Sequence, residues 1–428
     1  MSRLLILASK LGYQTSSFAE AAKKLGVDVV FASDRCHQLS DPWADGAIAV
    51  RLDEPEEAAR RIVQQSLVRP VDGVIALGDR ATSAASYTAR ALGLAYNSPQ
   101  AVENCRSKLR QREILRDAGL PVPGFFSFRL DKRVEKVLPR VQFPCVVKPL
   151  RRSASQGVIR ANTPEEFQAA VERIKKLLET PEIQVEREPE TDRLLVERYV
   201  PGAEVSVEAL LTRGKLRILA IFDKPDPLEG PYFEETLYVA PSRLPDNAYE
   251  QVIDTADKTV QALGLTHGPI HAEFRVNKEG TWVLEAAARP IGGLCARAVR
   301  LGPQRMPLEE LLVRHSLGMP GTDLGREEGA SGVMMIPVPQ SGVLEKVEGE
   351  EQARAIAGIE DVQITARLHD FIAAWPEGSS YLGFIFARGN SPEEVESALR
   401  QAHGALKFEI AERLPVANPV TGTVQSAT

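Results

Sequence analysis

The sequence predicts an α/β unit at the N-terminus followed by α+β units, on three observations. Apolar strands and amphipathic helices alternate through the first ninety-five residues, the pattern of a parallel sheet covered on both faces. From Phe143 to about Ala287 the chain is strand-rich with interspersed helices. Its 428 residues are too many for one hydrophobic core, so roughly two to four units are expected.

The elements follow in order. Arg3–Ala8 reads as a buried strand, and Tyr13–Leu25 as a helix stopped by Gly26. Val27–Ala32, Ala47–Val50 and Val74–Leu77 complete a four-stranded sheet, with helices over Glu54–Ser66 and Thr82–Leu92. This unit spans residues 1–97. A second unit, 98–330, opens with the helix started by Ser98-Pro99 and continued by Lys108–Ala118. Leu120-Pro121-Val122-Pro123 is then extended, because proline disfavours helix in the residue before it. The strands Cys145–Lys148, Leu194–Val200, Glu204–Leu211, Leu216–Phe222, Ile270–Val276 and Thr281–Ala287 follow, with a lid subdomain at about 143–200. The charged stretch Lys176–Asp192 is expected at the periphery. A C-terminal α+β unit, 331–415, holds strands at Val333–Pro337 and Tyr381–Arg388 and a helix at Pro392–Ala405. The Thr/Ser/Val-rich tail 416–428 is expected to be disordered.

Composition excludes several classes. A 43% apolar and 26% charged chain is ordinary for a globular protein. A net charge of −6 leaves no electrostatic footprint for nucleic acid. Apolar runs are too short for a membrane span or a signal peptide. Cys36, Cys105, Cys145 and Cys295 are scattered, so a reducing, cytoplasmic compartment is the simplest reading. The partners expected are therefore small molecules, with no nucleic acid and no membrane. Oligomeric state stays open between monomer and homodimer.

Several segments are built to carry chemistry. In the hairpin Ile270–Ala287, Lys278-Glu279-Gly280 suits a three-residue loop with glycine at the left-handed position. That register sets Asn277 opposite Thr281, Arg275 opposite Val283 and Glu273 opposite Glu285. Opposed side chains have β-carbons about 4.5–5.5 Å apart, so two carboxylates repel unless a cation lies between them. Mg²⁺ shared with nucleotide phosphates would serve. A solvated hairpin face neutralised by Arg275 is the alternative. Arg289 follows, then Pro290-Ile291-Gly292-Gly293, where a guanidinium and close-approaching amides suit an anion. An ordinary glycine-rich loop is the bland reading. Lys148 ends the apolar strand before Pro149 and should point into a cleft. The loop Arg151–Val158, with Ser153, Ser155, Gln156 and Gly157, could close over phosphates; a surface turn is the alternative. Glu197, Val200 and Glu204 flank Pro201-Gly202, placed to meet a nucleotide's base and ribose, or merely to face solvent.

The order of these segments carries more than any one of them. Lys108, Lys148-Pro149, a small glycine loop, Glu197-Arg-Tyr-Val, Pro201-Gly-Ala-Glu204, His271-Ala-Glu273-Phe and Glu285-x-x-x-Arg289-Pro-x-Gly-Gly resemble the ATP-grasp superfamily over roughly residues 100–300. The resemblance implies the ATP-grasp fold and a set of roles. Lys108 and Lys148 contact ATP phosphates under the Ser153–Gly157 loop. Glu197 and Val200 bracket adenine, and Glu204 holds ribose. Glu273 and Glu285 bind Mg²⁺, for which Mn²⁺ can substitute, and Arg289 steadies the transferring phosphate. One departure stands out. The superfamily's usual Glu-x-Asn-x-Arg is Glu285-Ala-Ala287-Ala-Arg289 here, and Ala287 offers no ligand atom. Either Glu285 bridges two ions, another oxygen substitutes, or one metal site is weak.

Asp223–Glu234 resembles the substrate loop of dipeptide-forming L-amino-acid ligases, and Gly383–Val395 resembles their C-terminal domain and that of biotin-carboxylase-like members. Glu229, Tyr232 and Phe233 are the substrate candidates in that loop, joined by Arg289, Gly292 and Gly293. The activity implied is an ATP-dependent carboxylate–amine ligase working through an acyl phosphate on an amino acid, releasing ADP and phosphate. A kinase, a bicarbonate-activating enzyme and a weakly active ATP-binding protein are the alternatives. His271 is read as structural before it is read as a ligand-orienting or proton-moving group.

Overall fold

The sequence Arg3-Leu-Leu-Ile-Leu-Ala8 has no polar alternation, and a strand of that kind must be buried on both sides. Leu4 and Ile6 enter one core and Leu5 and Leu7 another. The strand is central in a parallel sheet ordered Ala47–Ala49, Asp28–Ser33, Arg3–Ala8, Gly73–Leu77. Helices Tyr13–Lys24, Pro55–Ser66 and Asp79–Leu92 belong to the same unit. The computed structural model describes residues 2–9, 12–34 and 46–412, with the backbone of 416–417 and 424–425. Cys36 and most of the tail expected to be disordered lie outside the described residues; Val416–Ala417 pairs with Val424–Gln425.

The helix expected to run on past Ser98 is two helices, Pro99–Arg106 and Lys108–Asp117, broken at Ser107, which is extended. The break turns Lys108 inward at the start of the second helix, where it is buried.

The lid is a four-stranded antiparallel sheet, ordered Phe125–Arg129, Arg193–Arg198, Cys145–Pro149, Ile159–Ala161. Helix Pro164–Leu178 packs Phe167, Val171, Ile174 and Leu178 into its core. The unit therefore starts before residue 143, because Phe125–Arg129 pairs with the strand that carries Glu197. The stretch expected at the periphery is not peripheral. Glu188 is buried and bonds Arg80 at 3.0 Å and Arg106 at 2.7 Å, tying residues 186–190 to the N-terminal unit.

Eight strands form the central antiparallel sheet, ordered Gly280–Ala287, Gly268–Asn277, Ala203–Thr212, Lys215–Asp223, Leu237–Ala240, Ala330–Ile336, Gly383–Gly389, Ile359–Ile364. The last three belong to the segment expected as a separate C-terminal unit. Periodicity shows that a strand exists; it does not show which sheet the strand joins. Helix Asp246–Leu263 covers one part of the sheet and Pro392–Ala405 another. One core joins Leu4 and Ile6 of the first unit with Phe222, Tyr238, Leu311, Val333 and Phe384. Among the described residues no helix is long and apolar enough to cross a membrane.

Phe384 is fully buried, with ring centroids 5.7 Å from Tyr13, 6.2 Å from Tyr381 and 6.4 Å from Phe386. Phe384→Ala should lower unfolding free energy by about 3–5 kcal/mol, read as a fall in the urea midpoint at an unchanged slope.

Candidate active site

The hairpin sets the floor of a cavity of about 280 Å³ between the lid, the central sheet and the N-terminal unit. Its turn is one residue shorter than expected. Asn277 pairs with Gly280, Val276 with Thr281, and Arg275 with Trp282. A register shift between Glu273 and Phe274 takes up the difference, so Glu273 and Glu285 are still Cα partners. His271, Glu273 and Arg275 alternate onto the cavity face, while Ile270, Ala272 and Phe274 are buried on the other.

The cations that meet these carboxylates come from other elements. Lys108 reaches Glu285 at 3.0 Å. Lys224, at the end of strand Lys215–Asp223, reaches Glu273 at 3.3 Å and Glu204 at 2.9 Å, and also bonds Glu235. Carboxylate oxygens of Glu204, Glu235 and Glu273 lie within 4.8 Å of one another. The carboxylates drawn together are thus these three, around an ammonium, and not Glu273 with Glu285. Two lysines pull the opposed glutamates in different directions. Arg275 does not bridge the pair either; it bonds Glu204 at 2.9 Å and the carbonyl of Val200 at 3.2 Å.

Burial disfavours charge on Lys224, but the three carboxylates outweigh it and hold its pKa well above the usual value. Burial likewise opposes the carboxylate form of Glu273, and Lys224 and His271 overcome it, so the group titrates well below the usual range. His271 bonds Glu208 through Nδ1 and lies 3.3 Å from Glu273 through Nε2. Burial penalises its charge, yet Glu208 and Glu273 raise it to about 9. Glu208 also accepts the Ile291 amide at 3.1 Å, fixing the loop after Arg289.

At the lid side, Glu197 is buried between Arg112 at 2.6 Å and Lys148 at 2.7 Å. Desolvation pushes Lys148 down, and the neighbouring Arg112 and Lys108 add to that against the pull of Glu197. The Glu197 carboxylate is committed to two cations, so it is not the part of the 197–200 segment that could meet a base. Glu204 is committed in the same way, to Lys224 and Arg275. Arg289 lies 3.0 Å from Asp79, the first residue of helix Asp79–Leu92.

Lys108, Lys148, Ser153, Ser155, Glu197, Val200 and Glu204 all line this cavity, as do Phe233, Glu273, Glu285, Arg289, Gly292 and Gly293. Gln156 and Gly157 turn away and bond residues 376–377. Glu229 and Tyr232 face a separate surface cleft. Tyr232 bonds and stacks on Arg173 there, with the guanidinium 5.0 Å from its ring centre.

Sequence reasoning missed Lys224, Arg112, Asp79 and Glu208. For Lys224 a signal existed: Lys224-Pro225 ends an apolar strand just as Lys148-Pro149 does. Arg112 and Glu208 had none, since each sits among residues of unremarkable helix or strand pattern.

Residues 141–298 match the ATP-grasp domain, and residues 19–95 match the ATP-grasp N-terminal domain. Together with the architecture, this makes the chain an ATP-grasp protein. Residues 334–411 match the L-amino acid ligase C-terminal domain 2, which narrows the likeness within that class. The crystal structure of an L-amino acid ligase from Bacillus licheniformis aligns with a TM-score of 0.77 at 26% identity, over 96% of this chain and 99% of that one. The y4rH protein of Sinorhizobium fredii is 25% identical over 96% of this chain and 84% of its own length. Alanine–anticapsin ligase of Bacillus subtilis is 25% identical over 65% of this chain and 62% of its own length, so the match spans less than two thirds of that ligase.

Glu234, next to the carboxylate cluster, accepts the Val338 amide at 3.2 Å, and burial pushes it up to about 7. Its folded value lies above the unfolded one, so its contribution is fully present below about pH 4.5 and is lost as pH rises through about 7. Glu234→Gln should remove that loss. The variant should gain roughly 1–2 kcal/mol on the parent between pH 5 and 8, after discounting for its partial exposure, measured as melting temperature against pH.

Proposed function

We propose that the protein is an ATP-dependent ligase that joins the carboxylate of an amino acid to an amine through an acyl phosphate, releasing ADP and phosphate. The observation that carries the reading is a single cavity beneath a loop of small residues, lined by the opposed Glu273 and Glu285 and by Lys108, Lys148 and Arg289, with Lys108 on Glu285, Lys148 on Glu197 and Arg289 on Asp79. A carboxylate is a poor electrophile because its leaving group is an oxide; transfer of the γ-phosphoryl group makes that oxygen a phosphate. The task of the site is to align the two and spread the developing charge.

Lys108 and Lys148 suit the phosphates, and Arg289 with the Gly292-Gly293 backbone suits the acyl oxygens. Phe233, Tyr238, Cys295 and Met335 line the same cavity and fit the body of an amino acid. The donors of Glu273 and Glu285 are all oxygen, the ligand type Mg²⁺ or Mn²⁺ takes. Glu273 and Glu285 would hold such an ion if nucleotide phosphates drew Lys108 away from Glu285. The ion would supply positive charge between the phosphate oxygens. Ala287, paired with His271, adds no ligand atom, so one ion is the simpler arrangement. We place the protein in the cytoplasm, where ATP and free amino acids meet.

An amino-acid matrix with Mg-ATP should release ADP and phosphate, with an amide-linked product by mass. AMP as the nucleotide product would remove the assignment, and a stable phosphorylated acid with no amide under any amine would make the protein a kinase.

Lys148→Met keeps the buried stem and leaves Glu197 paired with Arg112. Turnover should fall by about two orders of magnitude or more with the protein still folded; near-parental turnover would displace the phosphate site. Glu273→Gln and Glu285→Gln should each lose most of the melting-temperature rise that Mg-ATP confers, a rise the parent shows in a thermal-shift assay.

A further inference from the structure

The Ser153–Gly157 loop does not stand free over the cavity. Ala154 and Ser155 hold φ of 54° and 53°, left-handed values that a non-glycine residue keeps only when its surroundings impose them. The loop makes two turn bonds of its own, Gln156 N–H to the Ser153 carbonyl and Val158 N–H to the Ser155 carbonyl, and the C-terminal unit supplies the rest. The indole Nε1 of Trp375 donates to the Ala154 carbonyl at 3.0 Å. The Gly157 amide donates to the Pro376 carbonyl at 2.9 Å, and Gln156 Nε2 donates to the Glu377 carbonyl at 2.7 Å. Arg173 pairs with the Glu377 carboxylate on the outside. Trp375 is buried and its ring lies 5.0 Å from that of Tyr381, which lines the cavity near Phe233 and Met335. Residues 375–381 therefore touch the phosphate loop at one end and the amino-acid end of the cavity at the other.

We propose that Trp375 is a positioning residue that holds the phosphate loop closed and ties closure to an occupied amino-acid site. The proposal deepens the ligase reading and rests on it. A ligand packed against Tyr381 steadies the ring on which Trp375 stacks, and Trp375 in turn fixes the Ala154 carbonyl. The closed loop keeps water from the acyl phosphate. When the loop is loose, water attacks the acyl carbon in place of the amine, and the free acid and phosphate leave with no amide formed.

Trp375→Phe keeps an aromatic ring and removes the donor together with the second ring of the indole. Gln156→Met cuts the parallel link to Glu377, along with the bonds Gln156 accepts from Arg152, without entering the C-terminal core, and serves if the first variant does not fold. In either variant with Mg-ATP bound, hydrogen exchange across residues 151–158 should rise roughly fivefold, the factor set by one ordinary hydrogen bond. The ratio of phosphate released to amide formed should rise above the parent's, and the KM for ATP should rise more than kcat falls. Parental exchange together with a parental coupling ratio would overturn the proposal. If the parent forms no amide with any amine, the ligase reading fails by itself. The exchange measurement needs no acceptor and still decides whether Trp375 holds the loop.

Discussion

Two carboxylates placed directly across a β-ladder are the constraint on which the site depends. Glu273 and Glu285 are fixed as neighbours by the hairpin register, and like charges so placed destabilise the pair. The fold answers with cations from outside the hairpin: Lys108 from a helix that starts at a backbone break, and Lys224 from the end of a neighbouring strand. Withdrawing such groups from water costs several kcal/mol each unless partners replace the water. The partners are supplied in overlapping sets. Lys224 has three carboxylates, Glu197 has two cations, and Glu204 has two. Each set draws on at least two segments distant in sequence, so the charge balance exists only when lid, central sheet and helices are all in place.

Much of this frame was legible in the sequence because it is periodic. Continuous apolar runs bounded by glycine marked the parallel strands, and strict alternation put His271, Glu273 and Arg275 on one face. The Glu273–Glu285 pairing was legible even though the turn was misjudged, since the extra residue at the register shift offset the shorter loop. What could not be read is which distant charges meet. Arg112 looks like any exposed helix arginine until the lid strand sets Glu197 beside it. Glu188 lies in a highly charged stretch that composition marks as peripheral, yet it is buried between two arginines. Local pattern reports the face a residue occupies; the identity of its partner is a property of tertiary pairing.

The same distinction explains the C-terminal segment. Its strands were visible, but its membership in the central sheet was not, because an antiparallel edge accepts a strand from any part of the chain that reaches it. The consequence is chemical. Tyr238, Met335 and Tyr381 meet in one cavity because strand Leu237–Ala240 pairs with Ala330–Ile336, which pairs with Gly383–Gly389. The apolar lining of the cavity is therefore assembled across the expected boundary at residue 330, while Lys148, Ser153 and Ser155 come from the lid.

An anion entering this cavity does not meet bare cations. Lys108 and Lys148 already have carboxylates against them, and Arg289 has Asp79. Binding must therefore proceed by exchange of partners. A phosphate oxygen that takes Lys108 leaves Glu285 without its cation, whereas Glu273 keeps Lys224 and His271. An uncompensated, half-buried carboxylate is costly, so nucleotide alone should bind poorly and nucleotide with a divalent ion should bind well, the ion restoring what Lys108 gave up. Glu197 stands apart in this exchange, because Arg112 remains when Lys148 turns to a ligand. That asymmetry lets Lys148 leave Glu197 without stripping the buried carboxylate of every cation, while the strand that carries Glu197 stays anchored.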